Sequence, residues 1–255
     1  MTTLPTDRAG RIAEAVRLLG EARDSGRRLA TPPFEIADDE EATAIHFAAV
    51  AAVGPIRGWK VGAASPEATP AAGALTADTL FDGPATLPAY ALGAVEGEIA
   101  VRIGRDLPAR DEPYTTNEVL AAVASWHPAI EVLESAFDGW RGQPKPWKVA
   151  DRQSHGALVL GAASAEAPRT PLGALPVRLS VDGAIAFDHE GGNTAGDPTR
   201  LLVWLANHLR GTERFLKAGD VVTTGSATPF LQAKPGQRVR VEFAELGSVE
   251  ATFGA

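Results

Sequence analysis

Cysteine is absent from all 255 residues. That excludes disulfides, zinc–thiolate and iron–sulfur centres and a cysteine nucleophile, and it suits a reducing, cytoplasmic setting. Positive charge is scarce: 24 Lys and Arg stand against 32 Asp and Glu, a net charge of −8. A nucleic-acid backbone is therefore not the expected partner. No apolar run approaches the roughly 20 residues of a membrane span. The opening Met1–Asp7 is polar and lacks the basic-then-apolar order of a signal peptide. No internal repeat is present. What remains is an ordinary globular composition, 45% hydrophobic and 22% charged. The length fits one domain, or one with a small appendage.

The most informative stretch is Val95-Glu-Gly-Glu-Ile-Ala-Val-Arg-Ile103. Val95, Ile99, Val101 and Ile103 recur at period two, so it reads as a strand, with Glu96 and Glu98 on one face. Two carboxylates that close resist joint ionisation unless a cation sits between them. A hard divalent cation takes oxygen ligands, so this is half of a site; an acidic outer face on an edge strand is the other reading. Ala129–Glu134 is a second, mostly apolar strand. Glu131 within it is costly to bury unless paired or metal-bound, which makes it the natural third ligand. Glu134 is read as surface. Lys60, between Gly58 and Gly62, is placed to meet a substrate carboxylate, to act as an acid/base group, or as a plain surface lysine. Leu75–Asp78 sets a carboxylate at a strand end.

Around these, helices are expected over Thr6–Arg23 (capped by Thr6), Asp38–Val53 (Asp38 with Glu41) and Thr115–Trp126 (Thr115 with Glu118). A further helix runs from Asp197-Pro198 to Gly211, burying Leu201, Trp204, Leu205 and His208. His46 reads as a packing or surface histidine. Ser65–Gly73 and Phe137–Trp147 read as loops, the second as a mobile lid carrying Arg141 and Lys145. Asp182-Gly183 is a hairpin turn, and Val239–Phe243 and Val249–Phe253 are alternating strands.

Taken in order, several segments resemble the fumarylacetoacetate hydrolase superfamily, in its 2-keto-4-pentenoate hydratase / 4-oxalocrotonate decarboxylase branch. They are Gly58–Gly62, Leu75–Asp78, Val95–Ala100, Ala129–Val132, Val149–Asp151 with Ser154, Asp197-Pro198 through Asn207, and Leu216–Asp220 through Gly225-Ser226. The resemblance implies an α+β fold: a small helical N-terminal region, residues 1–57, before a mixed β-sandwich roll, residues 58–255. It implies Mg²⁺ or Mn²⁺ on Glu96, Glu98 and Glu131. It implies Lys60 and Asp78 as catalytic residues, and Ser154, Asp151, Arg152, Gly225 and Ser226 around a small 2-oxo acid. It also implies a homo-oligomer in aromatic catabolism.

The implied reaction is hydration of a 2-hydroxy-2,4-dienoate. The alternatives are decarboxylation of a 4-oxalocrotonate-type dicarboxylic acid, an acylpyruvate-type C–C hydrolase and a non-catalytic binding protein. Glu131, where the hydrolase branches usually carry Asp, favours the hydratase/decarboxylase branch. That branch usually reads Asn where this chain has Arg152. The added cation is expected either to meet the second carboxylate of a dicarboxylic substrate or to point to solvent. A serine hydrolase using Ser154, His155 and Asp151 lacks the Gly-x-Ser-x-Gly elbow and the spacing of a triad.

Overall fold

Cap chemistry sets the helix starts. The computed structural model describes residues 5–254, so Met1–Leu4 of the polar opening stretch lie outside it. The helices are α1 (Arg8–Ser25), α2 (Asp39–Val53), α3 (Thr116–Leu120), α4 (Lys145–Ala150) and α5 (Thr199–Leu209). Asp7, not Thr6, caps α1 by accepting the Gly10 N–H, and Gly26 closes it at φ 66°. Asp38 caps α2. Glu41 does not complete a box with it; it bonds the Ala37 N–H and pairs with Arg11 at 2.8 Å, fastening α1 to α2.

The two helices bury Ala15, Leu19 and Ile45 against Phe137 and Trp147. This corrects the lid expected over Phe137–Trp147. Its two ends are core residues, Trp147 Nε1–H donates to the Phe34 carbonyl at 2.9 Å, and α4 begins inside it.

His46 is buried on α2 and is a tie rather than a surface group. Its Nε2 accepts the Ala74 N–H at 3.1 Å, so Nδ1 carries the proton and donates to the Val149 carbonyl at 3.2 Å. Burial pushes its pKa down to about 4 from 6.5. A depressed pKa means that the unfolded chain takes the proton first as pH falls. Stability is therefore lost between pH 6.5 and about 4, by roughly 3 kcal/mol if the whole shift is realised. Denaturant titrations at pH 7 and pH 4 check this. The stability advantage of the native chain over His46→Gln is expected to narrow by about that amount.

Among the described residues the strands are β1 (Ile56–Gly62), β2 (Ala71–Thr76), β3 (Leu80–Asp82), β4 (Ala85–Leu87), β5 (Ala94–Ile103), β6 (Val123–Leu133), β7 (His155–Leu160), β8 (Pro176–Val181), β9 (Ala184–Glu190), β10 (Val221–Ser226), β11 (Leu231–Gln232), β12 (Arg238–Phe243) and β13 (Gly247–Phe253). One mixed sheet runs β2-β1-β10-β5-β6-β7-β3, with β11 on β5; the other runs β4-β13-β12-β8-β9. Val95, Val101, Ile130 and Val132 of the first pack on Val177, Leu179, Val241 and Val249 of the second. The result is an α+β fold with two sheets closing on one core. Among the described residues no helix is long and apolar enough to cross a membrane.

Several local expectations give way to sheet pairing. The capping box at Thr115 and Glu118 forms, but the helix stops at Leu120. Val123–Trp126, read as its last turns, instead belong to β6, where Trp126 faces Val101 of β5. Pro128 is tolerated within β6 because its missing N–H falls where pairing with β7 has ended, and its carbonyl still accepts from Gly161. The Ser65–Gly73 loop ends early, at the start of β2. The expected start of α5 forms: Pro198 already has helical φ and ψ, and the Asp197 carboxylate accepts the Thr199 N–H at 2.9 Å. On α5, Leu201, Leu202, Leu205 and Leu209 are buried, whereas His208 is exposed and stacked on half-buried Trp204 at 4.5 Å. The Asp182-Gly183 hairpin turn forms with both residues at positive φ, joining β8 to β9.

Candidate active site

Strand alternation places Glu96 and Glu98 on one face of β5, and packing determines what lies between them. A Cβ on Gly97 would stand 2.9 Å from Val241 Cγ1, so at this one position the opposite face of β5 has no room for a side chain. Register then supplies the third carboxylate. Glu131 of β6 is directly opposite Glu96 in the antiparallel pair, and like charges so placed repel. One oxygen from each of Glu96, Glu98 and Glu131 lies within 4.8 Å of the others. Lys60 joins from β1, which pairs with β10, which pairs with β5. Its Nζ stands 2.5 Å from Glu131 Oε1 and 3.2 Å from the Gln153 carbonyl.

Each acid is held differently. Glu98 is buried and accepts the Thr223 hydroxyl and, at 3.0 Å, the Gly225 N–H. Gly225 sits at φ 79°, a backbone only glycine adopts freely. Glu131, 1% exposed, accepts from Lys60 and from His155 Nδ1 at 3.0 Å; His155 Nε2 faces the Thr79 hydroxyl at 3.0 Å.

The titrations follow. Burial and the nearby Glu131 push Glu96 up to about 7, and burial with the same neighbour lifts Glu98 well above its usual range. Burial also raises Glu131, but Lys60 and His155 outweigh it and hold its pKa near 2. Burial lowers Lys60, yet Glu131 more than compensates, so the ammonium is charged at neutral pH.

The carboxylates and Lys60 open on a cavity of about 290 Å³, whose wall also includes Gln153, Thr194, Gly225 and Ser226. One ammonium faces three carboxylates, so a divalent cation would balance the remainder. The donors are all oxygens, which is what Mg²⁺ or another hard cation selects. The residues present thus fit such an ion.

The structure brings Lys60, Glu96, Glu98, Glu131, Gly225 and Ser226 to one cavity, but not the other four residues expected there. Asp78 is exposed and lines another cavity together with Arg152. Asp151 is a buried brace: it pairs with Arg23 at 2.7 Å and accepts from Ser135 at 2.6 Å and the Ala136 N–H at 3.0 Å. Ser154 is buried and bonds through its backbone to Asp151 and Glu134. Asp151 and His155 face different partners, so no serine-hydrolase relay exists. Glu134, read as surface, is 8% exposed and accepts the Leu92 and Ser135 N–H groups.

Gln153, His155 and Thr223 were not singled out from the sequence for this site. Thr223 carried a legible signal, two residues before Gly225 on the same strand. Gln153 lies within, and His155 just after, a turn whose direction no local pattern reveals.

Comparison with known proteins places this geometry in context. The fumarylacetoacetate hydrolase C-terminal family model matches residues 51–254. A 2-keto-4-pentenoate hydratase of Burkholderia vietnamiensis (strain G4 / LMG 22486) is 33% identical over 205 residues, 77% of either chain. 2-Keto-4-pentenoate hydratase 2 of Dechloromonas aromatica (strain RCB) is 32% identical over 159 residues, and this chain spans only 60% of its length. A 4-oxalocrotonate decarboxylase of a Pseudomonas species is 31% identical over 179 residues, 69% of this chain and 68% of that one. The fold matches a solved 4-oxalocrotonate decarboxylase of Pseudomonas putida G7, complexed with magnesium and adipate. The TM-score is 0.81 over 98% of this chain and 100% of that one, at 22% identity.

Proposed function

The chain belongs to the fumarylacetoacetate hydrolase family, and from that premise we propose a divalent-metal-dependent hydratase. It adds water to a 2-hydroxy-2,4-dienoate of the 2-keto-4-pentenoate type and releases a 4-hydroxy-2-oxo acid. The observation that carries this reading is the excess of buried carboxylate over ammonium in one cavity, at Glu96, Glu98, Glu131 and Lys60. Glu96, Glu98 and Glu131 hold Mg²⁺ or Mn²⁺ in this reading. Once bound, the ion supplies Lewis-acid polarisation of the 2-oxo carbonyl.

The remaining roles fall to the chain itself. Lys60, charged at neutral pH and anchored by Glu131 and the Gln153 carbonyl, donates a proton to C5 of the dienol, and the proton lost from the 2-hydroxyl restores the ammonium, leaving the conjugated 2-oxo acid. Water then adds at C4, and its second proton goes to C3. Gly225, Ser226 and Thr194 line the cavity and orient the acid. His155 fixes the rotamer of Glu131 through its Nδ1–H, as a partner behind a metal ligand does. Asp78, Asp151, Arg152 and Ser154 do not line this cavity. A cytoplasmic, homo-oligomeric enzyme of aromatic catabolism goes with the family and rests on it alone.

The ultraviolet decay of 2-hydroxypenta-2,4-dienoate tests the reading. Decay to 4-hydroxy-2-oxopentanoate is expected with Mg²⁺ and is abolished by EDTA. Decay indifferent to EDTA would sink the metal assignment. The second reading, a 4-oxalocrotonate-type decarboxylase, is favoured by the 31% identical relative. CO₂ release from a dicarboxylic 2-oxo acid, with no hydration of the monocarboxylic dienoate, would establish it instead.

A further inference from the structure

A left-handed turn at Arg152–Ser154 sends two adjacent side chains to different cavities. Its three residues sit at φ 51°, 50° and 59°, a backbone that non-glycine residues adopt only against steric strain. Gln153 serves the acidic cavity: its carbonyl accepts from Lys60 and its amide donates to the Ala72 carbonyl. Arg152 turns instead to a cavity of about 280 Å³, walled also by Ala22, Arg23, Arg28, Tyr90 and Glu134.

Three guanidiniums meet there with unequal partners. Arg23 is saturated by the Asp151 carboxylate and the Glu134, Asp151 and His155 carbonyls. Arg28 donates to the Ala91 carbonyl. Glu134 is already satisfied by two backbone N–H groups. Among the described residues, no group accepts from the Arg152 guanidinium and none bonds the Tyr90 hydroxyl. Asp151 offsets Arg23, and the exposed Asp78 lies near enough to act on both Arg152 and Tyr90 without bonding either. Burial pushes Arg152 down to about 10 and Tyr90 up to about 12. Both therefore remain hydrogen-bond donors at neutral pH.

We infer that this cavity is a binding site for a small carboxylate, held by the Arg152 fork and the Tyr90 hydroxyl. A planar guanidinium matches both oxygens of a carboxylate. The site stands apart from the acidic cavity and does not depend on the activity proposed above. An anion on Arg152 sits one residue from the carbonyl that supports Lys60, so its occupancy bears on that support through the turn.

Calorimetric titration with acetate of the full chain, stripped of metal with EDTA and then dialysed free of it, tests the inference. Without a metal ion the three glutamates outnumber Lys60, and the acidic cavity offers an anion no net attraction. Saturable acetate binding is expected, weaker by at least about tenfold in Arg152→Gln and by a smaller factor in Tyr90→Phe. Magnesium binding, titrated separately without EDTA, stays unchanged in both variants. Arg152→Lys keeps the charge and loses the fork; its affinity falls between native and Arg152→Gln, which separates lost recognition from a damaged fold. Acetate binding that Arg152→Gln leaves intact overturns the site, as does the absence of saturable binding to the native chain. Sulfate binding more tightly than acetate overturns the carboxylate assignment.

Discussion

Replacing Glu131 by glutamine is expected to lower magnesium affinity by more than about a hundredfold, beyond the usual effect of changing an outer partner of a metal site. The same change costs stability. Glu131 is the direct partner of Lys60 at 2.5 Å and of His155 at 3.0 Å, and it is almost wholly buried. Removing one charge of such a pair leaves the other ammonium in a poorly solvating interior, at about 3 kcal/mol. Glu96 and Glu98 still lie near enough to keep that figure at the lower end of the usual range. Calorimetry with Mg²⁺ and denaturant unfolding without it separate the two effects. Native magnesium affinity in a destabilised variant would mean that Glu131 only braces Lys60 and is not a ligand.

Replacing Lys60 by methionine is expected to reduce turnover by about 10² to 10⁴, the range of a positioned general acid, while magnesium binding persists. The reason is electrostatic. Without the ammonium, three carboxylates share one cavity with no cation of the chain to offset them. Burial and mutual repulsion then push Glu96 and Glu98 higher still, and Glu131 loses the main influence that holds it down. The metal-free variant is therefore less stable than the native chain, and added Mg²⁺ restores more stability to it than to the native protein. Steady-state kinetics at saturating Mg²⁺ and thermal unfolding with and without the ion measure both. Turnover equal to native at saturating Mg²⁺ would remove Lys60 from the proton path and leave it as a counter-charge.

Local rules read much of this protein correctly because they concern neighbours in the chain. Period two put Glu96 and Glu98 on one face of β5. The apolar run around Glu131 marked a carboxylate that needed a partner. Asp38, Thr115 and Asp182-Gly183 acted as their chemistry requires at helix starts and a hairpin turn. Where an acceptable local pattern met a better non-local one, the non-local one prevailed. Val123–Trp126 has helical spacing but gains more by pairing with β5. Phe137 and Trp147 lie in a Gly- and Pro-rich segment, but α1 and α2 offer them an apolar surface to cover.

The sequence by itself determined the composition of the site: two glutamates on one strand, a third in an apolar strand, and a lysine between glycines. Only the tertiary structure decided how they meet. Glu131 faces Glu96 through strand register, and Lys60 reaches both through β10, pairings made between residues far apart in the chain. It also decided that Asp78, Asp151, Arg152 and Ser154, which the family pattern groups with the site, turn elsewhere. The direction of a side chain after a left-handed turn depends on which cavity the surrounding elements leave open, and residue identities along the chain do not record that.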